Sequence, residues 1–431
     1  MKFNAKPKRY SFKFPGICLV CFFLLSSCEQ DLLNQIEIPY PSNDNSPNID
    51  YDVIQLSIPK ELASTNYFLR GKLVDYELIA EYPLETLQYL GAGLESLIRY
   101  GIQVYRVRYY TEYKGEIIEA SGAIGIPLLP EGERAPITVY NHWTMYSAGD
   151  LPPSSGMDLV TLITTAYGNI TFAPDYIGFG DSEDIFHPYC ITTPTSDAII
   201  DMIFAGRRFL FRERILPKFR LFMFGLSQGG HATVAAQHEI ETHPLYKHRI
   251  HLTAVASGSG AYNTNDLLMT IAGASYYPAP SYVSMLLLAY NAHYNLGKNL
   301  DDIFRNSYGQ LFLEMKTQDK DYFEIDAALP TDMNELLQDD YRANLIAGTD
   351  IFNQIARENS IPEDWAPKAP LMMCHSEADD MIAWSDAQNA YNNFIAAGSN
   401  SVQLVTLPPV DHFTSLTYDL FTIYPWFESL Q

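Results

Sequence analysis

Residues 220–239 read RLFMFGLSQGGHATVAAQHE. The apolar run at 220–224 has the length and composition of a buried strand, and the stretch from Gly230 to Glu241 reads as a helix. Between them, Gly225-Leu226-Ser227-Gln228-Gly229 is a G-x-S-x-G pattern. The five letters alone recur by chance; the strand before and the helix after give them meaning. A serine on a sharp strand-to-helix turn needs neighbours without bulk two positions away on each side, and the helix start puts a positive dipole end beside the hydroxyl. Ser227 is therefore the candidate nucleophile.

Working outward, short apolar strands alternate with helices. Strands are expected at 137–141, 169–173, 220–224, 251–256, 370–374 and 402–407, and helices at 158–167, 196–214, 230–241 and 385–397, with a last helix from about Ser415. That alternation predicts right-handed crossovers and an α/β fold with a mostly parallel, doubly covered sheet. Ahead of it, 102–111 and 115–126 read as a two-strand meander, and 84–98 as a helical packing arm. No internal repeat is visible.

A serine hydroxyl is a poor nucleophile unless an imidazole takes its proton and a carboxylate orients that imidazole. Strand 370–374 runs into His375-Ser376-Glu377-Ala378-Asp379-Asp380, which puts an acid in a loop at a strand's carboxyl end. Strand 402–407 runs into Pro408-Pro409-Val410-Asp411-His412, which puts a histidine at the end of the next strand. Thirty-three positions separate Asp379 from His412, room for one helix and one strand. His412 is the candidate base; His375 and His142 lack its terminal strand-to-helix position. The acid is Asp379 or Asp380. An oxyanion hole needs backbone N–H donors, one from the residue after the nucleophile, Gln228, and one from the loop after strand 137–141. Thr144 is the candidate there, with Trp143 as the alternative.

These residues resemble the α/β-hydrolases of the secretory-lipase-like group. Beyond the serine motif, Pro174-Asp175-Tyr176-Ile177-Gly178-Phe179-Gly180-Asp181-Ser182 and His187-Pro188-Tyr189 are similar to that group's P-D-Y-x-G-x-G-x-S and H-P-Y signatures, with Asp201 and Arg207 on the following helix. The run from His375 to Ile382 resembles the H-G-x-x-D-x-x-V loop of hydrolases, Ser376 standing for the glycine, and this favours Asp379 over Asp380. Where hydrolases often carry His-Gly in the oxyanion loop, this chain has His142-Trp143. Asp175, Tyr176 and Ser182 are expected to satisfy one another's polar groups in support of the nucleophile. The resemblance implies an α/β-hydrolase fold with a helical cap at 263–367, inserted between core segments 52–262 and 368–431. The 152 positions from Ser227 to Asp379 exceed what one strand and one helix need.

The first 27 residues read as a leader. Lys2, Lys6, Lys8, Arg9 and Lys13 precede an apolar run from Ile17 to Leu25, too short to span a bilayer. Leu25-Ser26-Ser27-Cys28 resembles a bacterial lipobox, so Cys28 is expected to carry lipid and anchor the protein to a membrane. Residues 28–51 are rich in Pro, Ser, Asn and Asp and read as a tether. Acidic Glu29 and Asp31 resemble the surface-export signal of Bacteroidota lipoproteins, which implies an outer-membrane lipoprotein, surface-exposed if the signal operates.

The 431-residue chain carries 28 basic and 51 acidic residues, a net charge of −23. Cleavage before Cys28 deepens this to −28, since the leader holds five basic residues and no acidic one. Such a surface repels polyanions, which argues against nucleic acid as a partner. His243, His248 and His251 match no zinc spacing, and Asp301-Asp302 and Asp339-Asp340 lack a calcium loop's alternation. No metal or organic cofactor is expected. Cys190 and Cys374 could pair or remain buried thiols. The expectation is a serine esterase or lipase that cleaves small-molecule or glycan-linked carboxylic esters through an acyl-enzyme on Ser227. The alternatives are a surface carbohydrate esterase removing acetyl or feruloyl groups, a serine peptidase, and a non-catalytic hydrolase scaffold that binds glycan or lipid.

Overall fold

The computed structural model describes residues 68–90, 93–146, 150 and 152–431. The leader, Cys28, the tether and residues 52–67 lie outside the described residues. Among the described residues, nine strands form one sheet: β1 (Leu73–Tyr82), β2 (Ile102–Tyr113), β3 (Glu116–Pro127), β4 (Ile137–Asn141), β5 (Ile170–Pro174), β6 (Leu221–Leu226), β7 (Ala254–Gly258), β8 (Leu371–Ser376) and β9 (Val402–Leu407). Their spatial order is β1-β2-β3-β5-β4-β6-β7-β8-β9. The first three pair antiparallel, β3 pairs antiparallel with β5, and every pairing from β5 to β9 is parallel.

The parallel strands β4 to β8 are buried along their whole length, as strands covered on both faces must be. Alternation sorts their side chains. Val139, Phe172, Met223, Val255 and Met373 join one apolar cluster, with Ile199 and Ile203 of a long helix at Thr192–Glu213 and Val234 of the helix at Gln228–Thr242. Tyr140, Ala173, Phe222, Phe224, Ala256 and Cys374 face the other way, onto Val160 and Ile163 of helix Leu159–Ala166 and Leu420, Ile423 and Tyr424 of the terminal helix His412–Ser429. Burying a side chain such as Phe224 contributes roughly 2–3 kcal/mol. In chain order the helices are α1 (Leu84–Leu90), α2 (Leu159–Ala166), α3 (Thr192–Glu213) and α4 (Gln228–Thr242), then eight helices between β7 and β8 running from α5 (Thr264–Gly273) to α12 (Ile351–Glu358), then α13 (Trp384–Ala396) and α14 (His412–Ser429). Those eight helices occupy the stretch read as a cap and pack into a further apolar cluster, which joins Met285, Leu287, Phe304 and Phe352 to Tyr146, Ile191 and Met381 of the loops below.

One expectation needs correcting, one strand had no assignment, and one open alternative is decided. Residues 73–82, for which the sequence pattern gave no assignment, form strand β1, paired with β2 from Tyr82↔Ile102 to Leu73↔Tyr109. Its signal is visible in hindsight as Val74, Tyr76, Leu78, Ala80 and Tyr82 alternating with mostly acidic neighbours. The helical arm is not continuous: α1 ends at Leu90, ahead of two glycines, and only a short 3₁₀ turn at Glu95–Leu97 follows. Cys190 and Cys374 are free, buried thiols in different apolar clusters, so they do not pair.

Arg70, just ahead of β1, donates to Asp197 at 2.5 Å and Asp201 at 3.1 Å on α3, and Asp201 also accepts from Thr111 of β2 at 2.8 Å. Burial pushes the Asp201 carboxyl up to about 7 although Arg70 opposes it. Removing the guanidinium leaves two carboxylates buried without a cation. Arg70→Ala should lower the unfolding free energy by about 3 kcal/mol in denaturant titrations. Because Asp201 is titrated at higher pH in the folded than in the unfolded chain, the folded state holds a proton that the unfolded chain has released. Its contribution to stability therefore falls as pH rises from about 4 towards about 7. The loss in the variant should accordingly be larger at pH 8 than at pH 5.

Candidate active site

Strand β6 ends in a turn whose only solution is a strained serine. Ser227 has φ +55° and ψ −117°, a region side chains avoid, and it is the N-cap residue of α4. Its N–H is held by Gly258 O at 2.8 Å, and its carbonyl accepts from Gly230 N at 2.8 Å. The flanking glycines are needed for space. A Cβ on Gly225 would lie 2.1 Å from Gly229 O, and one on Gly229 would lie 2.0 Å from Asn141 O. The turn is thus pressed directly onto the backbone at the end of β4.

The loops after β8 and β9 bring the other two groups to this point. Ser227 Oγ donates to His412 Nε2 at 2.8 Å, and His412 Nδ1 donates to Asp379 Oδ2 at 2.7 Å. His412 is the first residue of α14, whose N-cap is Asp411. Asp379 Oδ1 accepts from Met381 N at 3.0 Å and Ile382 N at 2.8 Å. Burial pushes its carboxyl up, but His412 opposite it and His375 on its other side outweigh that and hold it well below the usual carboxylate range. Asp380 takes a different partner, the backbone N–H of His412 at 3.1 Å. Asp379 thus meets the imidazole and Asp380 meets the main chain. Behind Asp379 lies His375, whose Nε2 is 2.9 Å from Ile382 O and 3.3 Å from Asp379 Oδ2. Sequence reading weighed His375 only as a rival base; its place beside the acid follows from their i, i+4 spacing across a loop.

Around the nucleophile, the N–H of Gln228 belongs to the first turn of α4, where no residue of the helix can accept from it. Thr144 is buried on the loop after β4, and its Oγ1 lies 3.0 Å from the Tyr189 hydroxyl. Trp143 packs half-buried against both core clusters, and its carbonyl lies 2.6 Å from His142 Nδ1. Asp175, Tyr176 and Ser182 do not bond to one another, contrary to expectation. Asp175 accepts from Ser121 Oγ at 2.6 Å and Ser154 N at 2.8 Å; Tyr176 donates to His142 O at 3.2 Å; Ser182 bonds within its own loop, to Gly178 N and Phe179 O. The first two thereby support the β4 loop from beneath. His187 was noted only as part of a motif, yet its Nε2 lies 2.7 Å from Gln228 Nε2, a contact across 41 positions that no local pattern reveals. Among the described residues, no three His, Cys, Asp or Glu side chains gather as a metal site.

Helices α5 and α6 (Pro280–His293) roof the site: Leu267, Tyr282, Val283 and Leu286 line an apolar cavity together with Ser227 and Gln228. Chemically, the arrangement can pass a proton from a hydroxyl to an imidazole held by a carboxylate, beside the helix-start N–H of Gln228.

Comparison with curated proteins finds no relative. Among solved structures, the chain is similar to a protein of Legionella pneumophila described as a hydrolase, at 26% identity and a TM-score of 0.76, covering 83% of this chain and 98% of that one. It shares its fold with the rice cell wall degrading esterase LipA of Xanthomonas oryzae, at 23% identity, a TM-score of 0.73 and coverage of 82% and 95%. Candida antarctica lipase A in its closed state has the same fold, at 16% identity, a TM-score of 0.61 and 87% of each chain. The family is one of secretory enzymes, and among the described residues no helix is long and apolar enough to cross a membrane. Since residues 155–429 match the model of the secretory lipase family, the chain belongs to that family and is a carboxylic ester hydrolase of the α/β-hydrolase fold.

Proposed function

We propose that the protein cleaves carboxylic esters through an acyl-enzyme on Ser227, with His412 as general base and then general acid, and Asp379 as the orienting carboxylate. The observation that carries this reading is the imidazole of His412 lying 2.8 Å from Ser227 Oγ and 2.7 Å from Asp379 Oδ2. As Oγ attacks the ester carbonyl carbon, its proton passes to His412 Nε2 and the carbonyl oxygen becomes an oxyanion. The backbone N–H groups of Gln228 and Thr144 are the proposed donors to that oxyanion. Collapse breaks the bond to the alcohol, which leaves with the proton from His412. Water then attacks the acyl-enzyme, gives its proton to the imidazole, and the acid departs as Ser227 regains its hydrogen. Asp379 stays ionised throughout and stabilises the imidazolium. The membrane anchor belongs to the same proposal: Cys28, at the end of Leu25-Ser26-Ser27-Cys28, carries lipid and holds the enzyme on the bacterial outer membrane, with residues 28–51 as tether.

Ser227→Ala should lower kcat/KM on p-nitrophenyl acyl esters by at least three orders of magnitude and abolish labelling by a fluorophosphonate. Equal activity in mutant and wild type would overturn the assignment. Assayed in parallel, Asp379→Asn should lose about three to four orders of magnitude in kcat, whereas Asp380→Asn should stay within about tenfold of wild type. A larger loss in the second variant would reassign the acid. For the anchor, cells fed labelled palmitate should mark the wild-type protein and leave Cys28→Ser unlabelled and out of the membrane fraction; lipid-free wild-type protein would refute it.

A further inference from the structure

Among the described residues, two buried acceptors beside Ser227 have no donor. His187 Nδ1 lies 2.7 Å from Ile177 O, so that nitrogen carries the ring hydrogen and Nε2 is a bare acceptor. Burial keeps the imidazole neutral by pushing it down to about 3. Gln228 must therefore turn its NH₂ towards His187, at 2.7 Å, which leaves Gln228 Oε1 without a partner. The same logic applies one turn along. His231 Nδ1 lies 3.0 Å from Ala261 O and carries the hydrogen, and His231 Nε2 is unpartnered. Burial pushes this imidazole down to about 4, so it too is neutral near pH 7. Gln228 is 4% and His231 1% exposed.

Both residues line the apolar cavity of about 30 Å³ that also contains Ser227, under Tyr277, Tyr282 and Leu286. At spacing i, i+3 in the first turn of α4 they share a face, with Cβ atoms about 5–6 Å apart. An alkyl chain in this cavity would leave both acceptors desolvated and unpaired, which is costly, whereas a group with two donors would satisfy them. We propose that the first turn of α4 is a hydroxyl-binding subsite, in which Gln228 Oε1 and His231 Nε2 accept from a vicinal diol on the ester substrate. This rests on Ser227 being the nucleophile, and it makes the preferred substrate an ester of a polyol or of a dihydroxy acid rather than of a plain alkyl group.

Two matched pairs test it and distinguish the side that carries the diol: 2,3-dihydroxypropyl butyrate against propyl butyrate, and methyl 3,4-dihydroxybutyrate against methyl butyrate. The wild type should favour the diol at least tenfold in kcat/KM in one pair, and the pair that responds names the alcohol or the acyl side. His231→Phe and Gln228→Met should each collapse that ratio to within about twofold, and His231→Gln, which keeps an acceptor, should retain part of it. Fluorophosphonate labelling of Ser227 shows whether each variant keeps an intact site; where one does not, the wild-type ratios decide alone. Equal rates within both pairs, or a diol preference that survives in labelled variants, would overturn the subsite while leaving the nucleophile in place. A wild type that hydrolyses none of the four esters and takes no fluorophosphonate would instead sink the nucleophile and the subsite with it.

Discussion

Everything at the site depends on the close approach of two backbone segments, the turn at Ser227 and the end of β4. Gly229 lies so near Asn141 O that no side chain fits between them, and Ser227 is held at φ +55° as a result. A residue in such a conformation costs on the order of 1–3 kcal/mol and persists only where its surroundings leave no alternative. Here the surroundings are parallel pairings on both sides of β6, with Asn141 opposite Gly225 and Gly258 opposite Leu226. The strain has a use. It lifts Ser227 out of the helix that follows, so that its Oγ points at His412 while the first N–H groups of α4 stay beside it.

Charge at the site is arranged by which groups receive hydrogen bonds. Asp379 is surrounded by donors and remains an anion despite burial, which suits a carboxylate that must orient a ring and face a transient cation. Asp419 is fully buried about two helical turns along α14 from His412, and burial pushes its carboxyl well up. Its Oδ2 accepts from Ser259 at 3.1 Å, and Ser259 in turn lies 2.7 Å from Ser415, which donates to His412 O at 2.6 Å. Asp379, bonded to the His412 ring, and Asp419, linked to the His412 carbonyl through two serines, thus carry opposite protonation tendencies, set by the donors each one meets.

The inserted helices are tied to the loop that follows β4. The Tyr146 hydroxyl lies 2.8 Å from Ser281 Oγ on α6, its ring stacks on Tyr282 with centroids 5.7 Å apart, and its carbonyl accepts from Lys316. Lys316 is largely buried against Phe179 and Phe186, and burial lowers its pKa. The segment carrying Thr144 is therefore braced by the insertion on one side and by Tyr176 and His142 on the other. A shift of the insertion would be felt at the backbone donors beside Ser227.

The amino-acid sequence by itself determined the parts whose physics is local. A glycine-flanked serine between an apolar strand and a helix has one common structural solution, and an acid or a histidine at the carboxyl end of a parallel strand comes to the same edge of the sheet as the serine. Ser227, Asp379 and His412 were legible for that reason, as were the parallel strands, whose unbroken apolar runs follow from burial on both faces. Half-exposed β1 was harder to read because its burial depends on pairing with β2 across a connection of nineteen residues that holds α1 and a 3₁₀ turn. Only the tertiary structure decided that Asp380 takes the main-chain N–H of His412, that Arg70 neutralises α3, and that His187 turns the Gln228 amide. Those choices lie in contacts between residues 32 to 131 positions apart, where the partner is selected by distance and by which donor is free, and neither leaves a period in the chain.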